Sequence, residues 1–301
     1  MRINNKNVFF FYDESASQSL FANIVKSEKA ELISLKRNRF LDILRKLFGN
    51  KIVGYVAFKQ IKRMSIRNSV VWFDNESVSS MSKSQIESIK KNNKIYLFLI
   101  DELKNNYSSI NNAKKLIDLK MFDKIFTYSS FDASQYGFTH TLSYYSRLVN
   151  NSNCPCTYDA FFIGNIKNRS NIISEFLTKS DTYGLNALFY LAGDTNSINS
   201  KSYVPIKHMS YVDSLKELQK CNCIIDFVDD KNKGQSLRYF EAVIYNKKLI
   251  TNNANIKSLP FYNDKYIKII QRIDDIDFEW IKKRESVDYG YDGRFEPIHL
   301  L

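Results

Sequence analysis

Residues 232–252 read NKGQSLRYFEAVIYNKKLITN. A polar loop containing Gly234 gives way to a short helical pattern, then a lysine pair, then the strand-like run KLIT. Backbone N–H groups at a helix start are unpaired and carry partial positive charge, so this junction suits a phosphate group. Gly234 lets a ligand come close to the backbone. Ser236 is a natural cap, Gln235 and Arg238 can reach phosphate or sugar oxygens, and Glu241 can accept hydrogens from a vicinal diol such as that of ribose. On spacing alone a plain helix cap and a solvated helix carboxylate explain Ser236 and Glu241 equally well.

The same rhythm extends in both directions. CIIDFV (223–228) reads as the strand before this loop, so the stretch is a strand–helix–strand unit. Upstream, DAFFIG (159–164), NALFYLAG (186–193) and the helices SNIISEFLTKS and YVDSLKELQK repeat it, and KYIKIIQ and DDIDFEWIKKR follow it. An earlier half shows strands NVFFFY (7–12), ELISLK, SVVWF (69–73), KIYLFLI (94–100) and KIFTY (124–128). Helices SQSLFANIVKS and SMSKSQIESIKKNN lie between them. Strands alternating with amphipathic stretches predict α/β layers in two domains, 1–150 and 157–301, with a linker near 140–158. In such sheets ligands bind outside the carboxyl ends of strands, which directs attention to the loops after residues 12, 73, 100, 164, 191 and 228.

Composition agrees with a folded, two-domain chain. Of 301 residues, 44% are hydrophobic and 25% charged, which excludes a disordered polymer, and nine Gly and four Pro exclude a fibrous one. The longest apolar run, IYLFLI, is far short of the roughly 18 residues that span a bilayer. NVFFFY is too short for a signal-peptide core, so a cytoplasmic protein is expected. The cysteines form C-x-C pairs, 154/156 and 221/223, which is not a zinc spacing, and Cys223 reads as a reduced core residue. Net charge is +12, concentrated in 36–63, where nine basic residues face the single acid Asp42. Phe40, Leu41, Leu44, Leu47 and Phe48 fall there at helical spacing. The segment is either a helix packed on a sheet or a basic amphipathic surface for anionic lipid at the inner face of a membrane. No nucleic-acid motif accompanies the charge, so nucleic acid is not expected as a partner.

The stretches FFIGNIKNRS, CIIDFVDDKNKGQSLRYFEAVIYNKKLITNN and FDKIFTYSSFDASQYGFTHTLSYYS resemble bacterial glycosyltransferase-like proteins of lipopolysaccharide, O-antigen and capsular polysaccharide clusters. The likeness spans most of the chain, and the 234–252 block is its most specific part. It implies a GT-B fold, with two Rossmann-like domains facing across a cleft, nucleotide-sugar bound by the second and acceptor by the first. The implied activity is transfer of a hexosyl group to a growing surface glycan or a polyprenyl-linked acceptor. Gly234, Ser236, Arg238 and Glu241 match the family's donor loop, and Gly164 and Arg169 its first turn in the second domain. His208 precedes a helix near the expected nucleobase pocket. Departures include Lys233 where related retaining enzymes carry a first glutamate, and Asn246 where a glycine is usual, an expected left-handed helix end. A last helix often crosses back to the first domain in such proteins. Here either DDIDFEWIKKR plays that part or the helix is missing.

A catalytic base belongs at a strand end of the first domain, and Asp101 is the preferred candidate, then Asp13, with Glu102 and Glu76 behind. No D-x-D ends an apolar strand, and Arg169, Arg238, Lys233 and a helix dipole can neutralise a diphosphate. No metal or other cofactor is therefore expected. The altered glutamate pattern leaves a second expectation open: a non-catalytic GT-B-like binding or scaffolding subunit of a glycan-assembly complex.

Overall fold

Runs in which consecutive residues are all apolar form strands buried on both faces, the signature of a parallel sheet covered by helices. The computed structural model contains two such sheets. It describes residues 3–12, 15–35, 43, 46–47, 50–104, 108–150, 156–196, 198–207, 209–228 and 235–301. One compact unit comprises Met1–Leu148 with Phe295–Leu301, and the other Val149–Arg294.

The first unit carries β1 (Asn7–Tyr12), α1 (Ala16–Leu20), β2 (Ala30–Leu35), α2 (Asn50–Arg63), β3 (Val70–Asp74), α3 (Asn75–Val78), α4 (Lys83–Lys90), β4 (Lys94–Leu99), α5 (Ser108–Asp118), β5 (Lys124–Thr127), α6 (Ser130–Tyr136) and β6 (Thr139–His140). Its strands run parallel in the order β2-β1-β3-β4-β5-β6. Alternation along β1 sends Val8 and Phe10 to a cluster with Val53, Ala57, Ile61, Ile86 and Ile110. Phe9 turns the other way and stacks on Trp72 at 5.1 Å.

The second unit carries β7 (Tyr158–Asn165), α7 (Ser170–Thr182), β8 (Ala187–Ala192), β9 (Tyr203–Pro205), α8 (Tyr211–Gln219), β10 (Cys221–Asp226), α9 (Leu237–Tyr245), β11 (Lys248–Thr251), β12 (Ile267–Ile269) and α10 (Phe278–Lys282). Its parallel order is β12-β11-β10-β7-β8-β9. α9 ends at Asn246 with φ 52°, the left-handed turn its sequence predicts. The two adjacent lysines are internal fasteners. Lys247 Nζ donates to the carbonyls of Gln219 and Cys221 at 2.7 and 2.8 Å. Lys248, fully buried, donates to those of Trp280 and Lys283 at 2.8 and 2.7 Å and pairs with Glu285 at 3.0 Å.

Several expectations need correction. Residues 295–301, read as part of the second domain, pack with the first: Tyr145 N donates to Phe295 O at 2.8 Å and Asn23 Nδ2 to Glu296 Oε2 at 2.7 Å. DDIDFEWIKKR does not return to the first unit, because Ile276, Phe278 and Ile281 fill the core of the second. The expected helix at 17–27 breaks after Leu20 into a 3-10 turn, Ala22–Lys26. Helices α5 and α6 were not legible in the sequence.

Candidate functional site

In the second sheet the chain steps outward from β7 to β9, then returns to the other side of β7 with β10. A crevice opens outside the carboxyl ends of the two strands flanking such a reversal. The residues delivered there follow from chain order: Gly164 to Arg169 at the end of β7 and just beyond it, Asp226 to Val228 at the end of β10 and just beyond it, and Gln235 and Ser236 at the start of α9.

Residues 229–234, among them Asp229, Asp230, Lys233 and Gly234, lie outside the described residues; the residues on either side are clamped. Asn252 grips residue 228 with both ends of its amide, Val228 N donating to Oδ1 at 2.7 Å and Nδ2 donating to Val228 O at 3.0 Å. Arg169 Nη1 donates to Phe227 O at 2.8 Å, Nη2 bonds Asn165 O, and the guanidinium lies over the Phe162 ring at 5.4 Å. Ser236 caps α9, accepting from Arg238 N at 3.2 Å, and its hydroxyl donates to Asp226 Oδ1 at 2.9 Å. Thr251 Oγ1 holds the other oxygen of Asp226 at 3.0 Å. Burial pushes the Asp226 carboxyl above the ordinary aspartate range, and the two hydroxyls and Arg238 and Arg169 pull it part of the way back. Gly164 makes room for this: a Cβ there would stand 3.3 Å from Arg169 Nη2 and from the Phe162 ring. Gln235, half-buried, immediately precedes the cap.

Arg238 and Glu241 form a buried pair one helical turn apart. Glu241 is fully buried; its Oε2 bonds Arg238 Nη1 and its Oε1 accepts from Tyr211 Oη at 2.8 Å. Arg238 Nη2 also reaches Ile163 O at 3.1 Å. The carboxylate read as an acceptor for a diol is thus turned into the protein, where it fixes Arg238 and Tyr211. Asp226, Thr251, Asn252 and Tyr211 belong to this constellation and escaped the sequence reading. The only sequence trace of Asp226 is an acid inside the apolar run CIIDFV. His208 lies outside the described residues.

In the first unit Asp101 follows β4, half-buried, and its Oδ2 accepts from Asn75 Nδ2 at 3.2 Å. Asp13 lies outside the described residues. Glu102 pairs with Lys104 at 2.7 Å, and Glu76 is exposed on α3. Asp123 and Asp132 of the FDKI and DAS segments do backbone work: Asp123 Oδ2 accepts from Ile95 N at 2.7 Å and Asp132 Oδ2 from Leu103 N at 2.9 Å. His140 Nε2 lies 3.2 Å from Tyr128 O.

Of the basic stretch, residues 36–42, 44–45 and 48–49 lie outside the described residues. Leu47, the one described residue of that apolar stripe, is 70% exposed, and Ile43, outside the stripe, is 50% exposed. Helix α2 adds Lys51, Tyr55, Val56, Lys59, Lys62 and Arg63 to its exposed side. Cys221 and Cys223 are buried thiols, with burial pushing Cys221 up to about 12, and Cys156 is an exposed one. Among the described residues no group of three or more His, Cys, Asp or Glu is arranged to hold a metal, and no helix is long and apolar enough to cross a membrane.

No protein-family model and no curated protein sequence matches the chain. Solved structures do. A Listeria monocytogenes protein described as a UDP-N-acetylglucosamine 2-epimerase aligns over 97% of this chain and 93% of its own, at 10% identity and a TM-score of 0.53. S. aureus MnaA in complex with UDP aligns over the same shares at 12% identity and 0.53. The N-terminal domain of Candida albicans trehalose-6-phosphate phosphatase covers 94% of this chain and 89% of its own, at 10% identity and 0.51. The fold is GT-B. At such identities the likeness speaks to architecture alone, and the chemistry of this GT-B chain rests on its own side chains.

Proposed function

We propose that this GT-B chain is a glycosyltransferase that takes a hexosyl group from a nucleotide-sugar and needs no metal. The acceptor is a growing cell-surface polysaccharide of the lipopolysaccharide, O-antigen or capsular kind, or its polyprenyl-linked precursor. The carrying observation is the convergence, at the β7–β10 reversal, of Arg169 bonded to Phe227 O with Arg238 and the capped start of α9. The Arg169 and Arg238 guanidinium groups, beside the positive end of the α9 dipole, favour a diphosphate at this place. The UDP carried by one structure of the same fold supports this assignment. Asp101, then Asp13, serves as base toward the acceptor hydroxyl, and Glu241 acts by holding Arg238.

The basic face of α2, with Ile43 and Leu47 beside it, suits an anionic membrane surface and a peripheral cytoplasmic site on the inner leaflet. Sedimentation with phosphatidylglycerol vesicles, compared with phosphatidylcholine ones, tests that placement.

The decisive measurement is calorimetric titration of UDP, preceded by a thermal-shift screen of UDP-, GDP-, CMP- and TDP-sugars. Arg169→Gln should weaken the best nucleotide about tenfold; unchanged affinity would remove the site assignment. A second reading, a non-catalytic binding subunit, is favoured by one observation: both oxygens of Glu241 are engaged by protein groups. Nucleotide binding without turnover of any donor, with or without glycan acceptor, selects it.

A further inference from the structure

Asp101 sits where β4 ends, and the next element inward explains its orientation. Asp74, the last residue of β3, caps α3: its Oδ1 accepts from Ser77 N and from Ser77 Oγ, both at 2.6 Å. That cap fixes Asn75 as the first residue of α3, and the parallel pairing of Asp74 with Phe98 sets it beside the end of β4. Asn75 is fully buried. Its Oδ1 accepts from Ile100 N at 2.9 Å, and its Nδ2 donates to Asp101 Oδ2 at 3.2 Å and to Ser109 Oγ at 3.5 Å. A backbone N–H can only donate, so the amide's orientation is settled: oxygen to Ile100, nitrogen to the carboxylate. Among neutral side chains, a carboxamide supplies a full acceptor and a full donor at this spacing.

We propose that Asn75 is the positioning residue of the transfer reaction, holding Asp101 ionised and correctly aimed as general base. The proposal rests on the glycosyltransferase reading above. Asn75 acts through Asp101 and touches no substrate. By satisfying the first N–H beyond the strand it fixes the backbone that carries Asp101, and by donating to Oδ2 it favours the charged form, the form able to accept a hydroxyl proton. The proton moves from the acceptor hydroxyl to the Asp101 carboxylate as the new C–O bond forms, and the nucleoside diphosphate leaves with the electron pair of the broken bond. Among the described residues, charged groups on the elements adjoining Asp101 include Glu102 and Lys104 of its own segment, which pair at 2.7 Å, Glu76 on α3 and buried Asp74 at the end of β3; Asp132 on α6 accepts from Leu103 N and feels Glu102, Lys104 and Lys114.

The test uses the full chain. The Asp101 carboxyl is followed by 13C NMR, its signal identified by loss in Asp101→Asn, in wild type, Asn75→Ala and Asn75→Asp. Asn75→Asp keeps the shape but sets a second carboxylate against the first, so the Asp101 midpoint should rise by about one pH unit or more. Asn75→Ala should raise it less. In parallel, release of UDP from the donor that the screen selects is measured against pH. The acid limb of kcat/KM should move upward with Asn75→Asp, and Asn75→Ala should lower kcat with donor KM unchanged. A midpoint identical in all three proteins overturns the positioning role, as does a uniform fall in rate with an unmoved acid limb. Nucleotide binding without turnover in wild type removes the transfer reading instead, and Asp101's role with it, whatever the titration shows.

Discussion

Removing one member of the Arg238–Glu241 pair should destabilise the second unit in a way that depends on which member goes and on pH. Glu241 is 0% exposed and the Arg238 side chain 19%. Arg238→Met leaves a carboxylate inside the protein with Tyr211 as partner. It can escape by taking up a proton, which for an ordinary glutamate costs about 3.7 kcal/mol at pH 7 and about 1 kcal/mol at pH 5. The electrostatic loss is therefore capped near those values and shrinks by roughly 2–3 kcal/mol between the two pH values. Glu241→Met strands a guanidinium that stays charged at every accessible pH. Breaking a buried pair in this direction costs about 3–5 kcal/mol, and the partial exposure of Arg238, with its retained bond to Ile163 O, points to the lower end. Because Trp72 and Trp280 fall in different units, urea unfolding can be followed by Trp280 fluorescence in a Trp72→Phe background. Relative to wild type, Arg238→Met should recover as pH falls and Glu241→Met should not; the double methionine variant should lie near wild type. Parallel pH profiles for the two single variants would refute the reasoning.

Two further outcomes concern groups outside the reaction. Burial raises the Asp74 carboxyl above its ordinary range, with Ser17 and Ser77 opposing, so its contribution to stability is present below the ordinary aspartate range and is lost as pH rises through the raised value. Asp74→Asn should therefore stabilise the first unit by about 1–2 kcal/mol at pH 8 and by little at pH 4; melting curves that track wild type at both pH values would exclude this. Lys248→Met should cost about 3–5 kcal/mol, because it abandons two carbonyls and Glu285 around a fully buried ammonium, and chemical denaturation of the second unit measures it.

Sequence periodicity was most legible where physics is most local. The apolar runs within β1, β4, β7 and β10 point to buried parallel strands, and Asn246 closes α9 in the one backbone region where Asn outperforms most residues. SSINNAKKLID was opaque because only Ile110, Ala113 and Leu116 are buried among Asn, Ser and Lys, too thin a stripe to separate from a loop. In the candidate site Ser236 announced itself as a cap, since capping is set by neighbours two residues away. Tyr211 reads as one more apolar face residue, yet its hydroxyl meets a carboxylate 30 positions later. Lys247 and Lys248 look like a solvated charge pair, and nothing in the local pattern tells that both ammonium groups bond carbonyls. Such contacts are fixed by strand order, which spacing alone does not encode.

Ribosomal synthesis meets an awkward schedule in the first unit, whose sheet is finished by His140 but whose packing on Asn23 and Tyr145 waits for Phe295 and Glu296. At typical elongation rates of about 5–20 residues per second, translating residues 149–294 takes roughly 7–30 s. During that interval the second unit, being continuous, can complete itself, while the surface around Asn23 stands uncovered and open to chaperones. The half made first is thus sealed last.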